Sequence, residues 1–430
     1  MSVTESDRRV GAGSDRDHKR IPVVDGVRGL CALALLITHV AMVSGLLGTR
    51  ETGAEVGPSH YLGGFFAGGL QIAAGVFFTL SGLYVYRPFA KSVITGGPKP
   101  SGRHNFARRA LRLLPAYYLM YVVVLLALNL ESIDSVWYVV RPLLLLHIYD
   151  FVWMDGMEVS WTVPAMAQFY LLLPLLAWAT RRWAGRGATM RQRAYRLMLP
   201  VPFLIASGFA WLFFVKANDL GTRALFWWPM GLLPEIGIGM ALGILLALTQ
   251  ASPSDTPKLF RAAAARPNLF LLSALVIVLV NCARPFAKIG MDDIYTVSGL
   301  VFFYVILGLF SIAIVTPLVA PGASSRVRDG LLGNAPMVYL GRISYGVYLW
   351  HFAVMHFYLQ PDTLFGGDSQ MILGLYREAG FWELQLVTLT GAVLLATISY
   401  YLMERPLMNW GERRLRRRDE ARAAVGGRPR

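Results

Sequence analysis

Apolar positions in this 430-residue chain gather into long runs instead of alternating with polar ones. The runs include 115–129, 203–215, 226–248, 269–280 and 300–315. A bilayer-spanning helix needs about 20 predominantly apolar residues, a length several of these reach and the others meet with their flanks. The pattern predicts ten spans, near 23–45, 62–86, 113–130, 160–180, 197–216, 225–249, 268–283, 294–319, 336–359 and 382–403, the seventh being the weakest. The expected fold is therefore all-α: a polytopic membrane helical bundle of about ten transmembrane helices. Residues 1–22 read as a flexible cytosolic N-terminus, 23–405 as one membrane domain, and 406–430 as a basic cytosolic tail.

Composition agrees with this class. Hydrophobic residues make up 55% of the chain and charged residues only 16%, where a soluble domain carries about 25% charged residues. Mean hydropathy is +0.48. The first apolar segment follows a polar stretch of about twenty residues and has no small-residue cleavage site after it, so it is not read as a cleaved signal.

Charge distribution predicts the orientation. With ten spans and the N-terminus inside, the inside segments are the first twenty residues, 87–112, 181–196, 258–266, 326–328 and 405–430, and they hold most of the 41 Lys and Arg. The outside connections carry Glu51, Glu55, Glu131, Asp134, Asp150, Asp155, Glu158, Asp292, Asp293, Asp362 and Asp368. This is the positive-inside pattern, with both termini cytosolic. It also accounts for the net charge of +15 without a nucleic-acid partner, although the Arg-rich loops suit anionic membrane lipid or a phosphorylated cofactor. Arg far outnumbers Lys and Ala and Gly are abundant, which points to a GC-rich bacterial genome and an inner (plasma) membrane.

Cys31 and Cys282 both fall in apolar spans and imply no disulfide. The seven His show no paired metal-ligand spacing, so no metal site is expected. No P-loop or dinucleotide fingerprint is present. The glycine pairs at 63–64 and 68–69 read as close helix packing.

Polar residues inside the first span carry the chemistry. IPVVDGVRGLCALALLITHVAM contains Asp25, Arg28 and His39. At 100° per residue Arg28 and His39 project within about 20° of each other, with Asp25 about 40° from His39. Ionisable groups in a spanning helix are expensive, so a cluster on one face points into a polar interior.

VVDGVRGL followed by THV resembles the opening helix of the acyltransferase-3 family of integral membrane O-acyltransferases. GVFFTLSGLYVYRPF, FARRALRLLPAYYLMY, LGRISYGVYLWHFAV and SYYLMERPLMNWGERR resemble further elements of that family, in order, from about 23 to 415. One element departs. The family usually has Trp-Ser-Leu, then one or two Glu, then Phe-Tyr. SWTVPAMAQFYLLLP keeps Trp161, Phe169 and Tyr170 but has Met166 and Ala167 at the Glu positions. Glu158, three residues before Trp161, is a candidate to reach the same region from the outer loop.

The resemblance implies transfer of an acyl group from acyl-CoA to a hydroxyl of a sugar-containing or lipid acceptor. His39 suits the base that takes the hydroxyl proton, or the residue that holds the acyl group. Asp25 and Arg28 are expected on the same face as His39, with Arg28 about 16 Å nearer the cytosol, holding the cofactor while His39 works deeper. Arg108, Arg109 and Arg112 would pair with the donor's phosphates, with positive-inside topology as the competing account. Ser81, Trp161, Tyr345, Trp350 and His351 are candidates to contact substrate. Glu404 and Arg405 read as a helix-end pair. A carrier of an acylated or sugar-containing substrate, or a silent relative lacking the usual Glu, stays open as an alternative.

Overall fold

The computed structural model describes residues 21–46, 58–150, 154–283, 296–366 and 380–426. The first twenty residues, expected to be flexible, lie outside this set, as do Glu51, Glu55, Asp292, Asp293 and Asp368. Among the described residues every regular element is helical. The chain opens with α1 (Pro22–Val43), α2 (Pro58–Gly69) and α3 (Ala73–Thr95), the last two joined by a single tight turn at Leu70–Ile72. Then come α4 (Gly102–Leu128), the short α5 (Val136–Leu143) and α6 (Thr162–Gly185). The middle comprises α7 (Met190–Leu197), α8 (Pro200–Ala217), α9 (Gly221–Phe226) and α10 (Leu233–Ala251). α11 (Lys258–Ala265), α12 (Pro267–Ala283), α13 (Val297–Val319) and α14 (Arg326–Leu332) follow. α15 (Ala335–Leu359), α16 (Phe381–Ser399) and α17 (Arg405–Gly426) close the chain, with a π-helical turn at Tyr400–Glu404 between the last two.

The helix starts are written in the sequence. Ser101, Ser135, Thr189, Thr296, Ser325 and Asn334 each accept a backbone N–H of the first turn, for α4, α5, α7, α13, α14 and α15. Pro opens α1, α8 and α10, where a missing N–H costs nothing.

Among the described residues, eight helical stretches are long and apolar enough to cross a membrane, or nine if the pair α11–α12, bent by 97°, counts as one. All ten expected spans fall on helices, but length and composition support eight or nine of them. The seventh is the bent pair. The ninth, α15, has 25 residues but carries Arg342, Ser344, His351 and His356, which make it too polar to qualify. α5 was not anticipated.

The outer surface fits a bilayer. Trp178 and Phe203 are each 66% exposed and Leu386 67%. Apolar faces of this extent on α6, α8 and α16 would be an aggregation liability in water and are ordinary against lipid tails.

Without a hydrophobic drive between helices in lipid, close approach of backbones does the packing. Gly82, Gly239 and Gly243 let α3 and α10 touch, since a Cβ at each would run into backbone of the other helix. A Cβ on Gly69 would overlap Cys282, whose role is packing, as expected, and Asn281 donates to the Gly69 carbonyl at 2.8 Å.

The tightest contact joins α1 to α14 and α15. A Cβ on Gly26 would overlap the Leu332 carbonyl, and one on Gly341 the Asp25 carbonyl. A Cβ on Gly29 would stand 2.9 Å from the Gly341 nitrogen. The glycines of DGVRG and of LGRISYG are thus the two halves of one backbone crossing. Further along, His39 meets His351. Because 29 pairs with 341 and 39 with 351, the two helices run parallel. A Gly341→Ala substitution should lower the thermal unfolding midpoint of the purified protein sharply or prevent its accumulation, because overpacking against backbone costs roughly 1–3 kcal/mol or more. Gly330→Ala, where a Cβ meets nothing within 4 Å, should leave the midpoint unchanged or raise it slightly.

Candidate active site

His39 and His351 form the centre of the site. His39 Nδ1 and His351 Nε2 are 2.8 Å apart, and the rings lie nearly parallel at 7°. His351 Nδ1 stands 2.7 Å from the Tyr348 carbonyl oxygen. A carbonyl only accepts, so His351 Nδ1 carries the proton and donates. In a neutral ring the Nε2 of His351 is then an acceptor, and His39 Nδ1 must donate to it. The His39 Nε2 is left with its lone pair. The chain Tyr348 C=O, His351, His39 therefore fixes one tautomer and prepares one basic nitrogen. Phe352 packs against both imidazoles, with centroids at 5.1 and 4.9 Å. His39 is half-buried, whereas His351 is fully buried.

Arg28 and Asp25 belong to a second cluster on the same helix. Eleven residues of α1 separate Arg28 from His39, roughly 16 Å along the axis. Arg28 interacts electrostatically with Arg112, Asp25, Tyr170 and Tyr84. Arg109 lies over the Tyr170 ring at 5.2 Å and bonds that residue's side chain. Arg112 also acts on Arg109 and on the buried Glu404. Three guanidinium groups from α1 and α4 thus converge with two carboxyl groups. Arg112 is exposed, so the cluster opens to solvent at that end. Arg108 points elsewhere, bonding His104 at 3.0 Å on the surface.

The remaining sequence candidates are spread around these two clusters. Tyr345 donates to the Leu113 carbonyl at 2.8 Å, linking α15 to α4. Trp350 is buried in an apolar cluster with Tyr117, Tyr121 and Leu128, on a different face of α15 from His351. Trp161 stacks on Phe78 with centroids at 6.1 Å. Ser81 is half-buried on α3. Glu404 accepts from Ser399 at 3.2 Å inside the π-helical turn; the basic group acting on it is Arg112, not the neighbouring Arg405 anticipated, and Arg405 lies over Tyr401.

Met166 packs at the edge of an apolar cluster of α3, α6 and α10. Glu158 bonds His356 Nε2 at 2.6 Å, both side chains being buried. His356, five residues beyond His351, was not singled out by sequence. Neither was Glu235, fully buried with no partner for either carboxyl oxygen. The partners of these residues lie nearly 200 positions away or are absent, so no local motif marks them.

Residues 21–404 match the acyltransferase domain family Acyl_transf_3. The chain belongs to this family. It is 23% identical over 421 residues to the putative peptidoglycan O-acetyltransferase YrhL of Bacillus subtilis, covering 93% of this chain and 57% of that protein. Nodulation protein 10 of Rhizobium leguminosarum is 25% identical over 354 residues, 77% of this chain and 81% of the relative. Peptidoglycan O-acetyltransferase OatA of Listeria monocytogenes is 22% identical over 357 residues, 79% and 50% respectively. The chain thus spans a little over half the length of YrhL and half that of OatA. No solved structure matches it.

His147, in the turn after α5, provides a pH signature. It bonds Ser160 at 3.1 Å, stacks on Tyr117, and burial, aided by nearby Arg141, pushes it down to about 4. An unfolded His takes its proton near 6.5. Between roughly 6.5 and 4 the unfolded chain binds a proton that the folded chain refuses, so stability falls as pH falls through that window. In the purified protein, His147→Asn should flatten the dependence of the unfolding midpoint on pH over that range relative to wild type.

Proposed function

We propose that this integral membrane protein is an O-acyltransferase that moves an acyl group from acyl-CoA to a hydroxyl of a sugar-containing acceptor. The observation that carries the reading is the hydrogen-bonded chain from the Tyr348 carbonyl through His351 to His39, which leaves one unprotonated nitrogen on the same helix as Arg28, about 16 Å further along it.

The steps follow from the geometry. Arg28, Arg109 and Arg112 gather three positive charges that suit the phosphates of the donor. The thioester arm then reaches along α1 toward His39. His39 Nε2 takes the acceptor's hydroxyl proton as its oxygen attacks the thioester carbonyl. The C–S bond breaks, an ester forms, and the CoA thiolate leaves to receive a proton as the free thiol. During proton uptake the imidazolium of His39 keeps its Nδ1–H on His351, which holds the ring in place. The same nitrogen suits direct acyl capture, giving an acyl-imidazole that the acceptor then opens.

Neither Met166 nor Ala167 lies in this chain, which is built from α1 and α15 alone, so it is complete without a carboxylate there. The peptidoglycan substrates named for YrhL and OatA support a cell-envelope glycan as acceptor. Ten crossings with both termini in the cytosol fit the parallel run of α1 and α15, the first and ninth of them. With that orientation the arginine cluster would face the cytosolic side of an inner membrane, where acyl-CoA is found. Tyr345, Trp161 and Ser81 would line the path to the acceptor.

The test is thiol release by purified protein given acetyl-CoA and longer acyl-CoAs with cell-envelope glycan. His39→Ala should reduce turnover by about 10²–10⁴-fold, the span general acid–base catalysis supplies. His351→Gln should lower kcat with little change in donor KM, and Arg112→Ala should raise donor KM with kcat nearly kept. Wild-type turnover in folded His39→Ala would sink the proposal.

A further inference from the structure

A second polar centre sits about 22 Å along α15 from Gly341, at 1.5 Å per residue over fifteen residues. There Asp155, Glu158 and His356 each offer a ligand atom, and these atoms all lie within 4.8 Å of one another. Asp155 and Glu158 come from the segment leading into α6, and His356 from the last turns of α15. All three side chains are buried.

A single hydrogen bond does not satisfy this group. Glu158 Oε1 uses His356 Nε2, which leaves Glu158 Oε2 and His356 Nδ1 buried with no partner. Such orphaned atoms are uncommon and costly. Two carboxylates converging on one imidazole also repel each other unless a cation or a proton lies between them. Against Glu158 opens a small cavity of ≈ 20 Å³ lined also by His147, Ser160 and Trp161, enough for about one water.

We infer that Asp155, Glu158 and His356 form a binding site for a divalent transition cation of the zinc or manganese type, with water from the adjoining cavity in the open position. One nitrogen and two carboxylate oxygens are a donor set that such ions take, with bonds of about 2.0–2.2 Å for zinc. Tetrahedral ligand atoms then stand roughly 3.3 Å apart, so the Glu158–His356 pair needs to open by less than an ångström. The ion would tie the segment 154–161 to α15, fixing the approach to His351 five residues away. Occupancy would not depend on the acyl-transfer reading.

The experiment uses the whole chain in detergent, stripped with chelator, then dialysed against Zn²⁺, Mn²⁺ or Co²⁺ and assayed for bound metal. The expected result is about one ion per chain, a Co²⁺ visible spectrum showing nitrogen and oxygen ligation, and a raised unfolding midpoint. Glu158→Gln and His356→Gln should each lose the ion and its spectrum, and Asp329→Asn on α14 should retain both. Each variant's unfolding midpoint without metal reports that it is folded. Wild type that takes up none of the three ions would overturn the site. So would equal metal retention in folded Glu158→Gln and His356→Gln.

Discussion

The structure depends on one backbone contact. Gly26, Gly29 and Gly341 let the start of α1 meet the backbones of α14 and α15 directly. The two long helices can then run side by side in parallel, and ten further residues on each, about 15 Å of rise, bring His39 and His351 to the same level. A methyl group at the crossing would push the helices apart, and a hydrogen bond of 2.8 Å between imidazoles has little tolerance for that. Packing at the first turn of α1 and chemistry three turns later are therefore one constraint. In a bilayer this is economical, since small residues supply association where no hydrophobic drive exists between helices.

Much of this was legible before any coordinates. Apolar runs located the long helices of the membrane bundle, because a span must satisfy its backbone internally and announces itself by composition, whereas the charged α17 carries no such run. The cluster on α1 was found from periodicity and from the cost of charge in lipid. Asp25, Arg28 and His39 share one face, and the rise of the helix already separates Arg28 from His39 along the axis; the neighbours Arg112 and His351, which stand against them in the fold, were not legible. Angular position around a helix is readable from one segment, whereas which neighbour faces it is not. For the same reason the partner of Glu158 stayed hidden: 198 positions separate it from His356. The 97° bend between α11 and α12 and the short α5 escaped because short helices carry too little apolar period to register.

Like-charge gathering gives the other end of the bundle its meaning. Arg28, Arg109 and Arg112 repel one another, and Asp25 and Glu404 offset only part of that charge. Positive-inside topology explains why arginines lie at this level. Arg28 and Arg109 are drawn partly out of water toward Tyr170, while Arg112 and Arg108 stay exposed. In the proposed reaction this group of charges would meet the phosphates of the donor.

The missing carboxylate can be weighed in the same terms. A Glu behind a catalytic His would stabilise the imidazolium more strongly than a second imidazole does, yet it would bring a full negative charge into a low-dielectric site. Desolvating an ion costs several kcal/mol, and the partner repays it only with good geometry. His351 is neutral while it accepts from His39, and its own proton is already committed to the Tyr348 carbonyl. The resting site therefore buries no net charge at this level and still fixes the tautomer. In the proposed reaction, ionisation would be confined to the moment of proton transfer, when negative charge develops on the reacting oxygen or the leaving sulfur. A neutral relay is the arrangement the surrounding bilayer tolerates best.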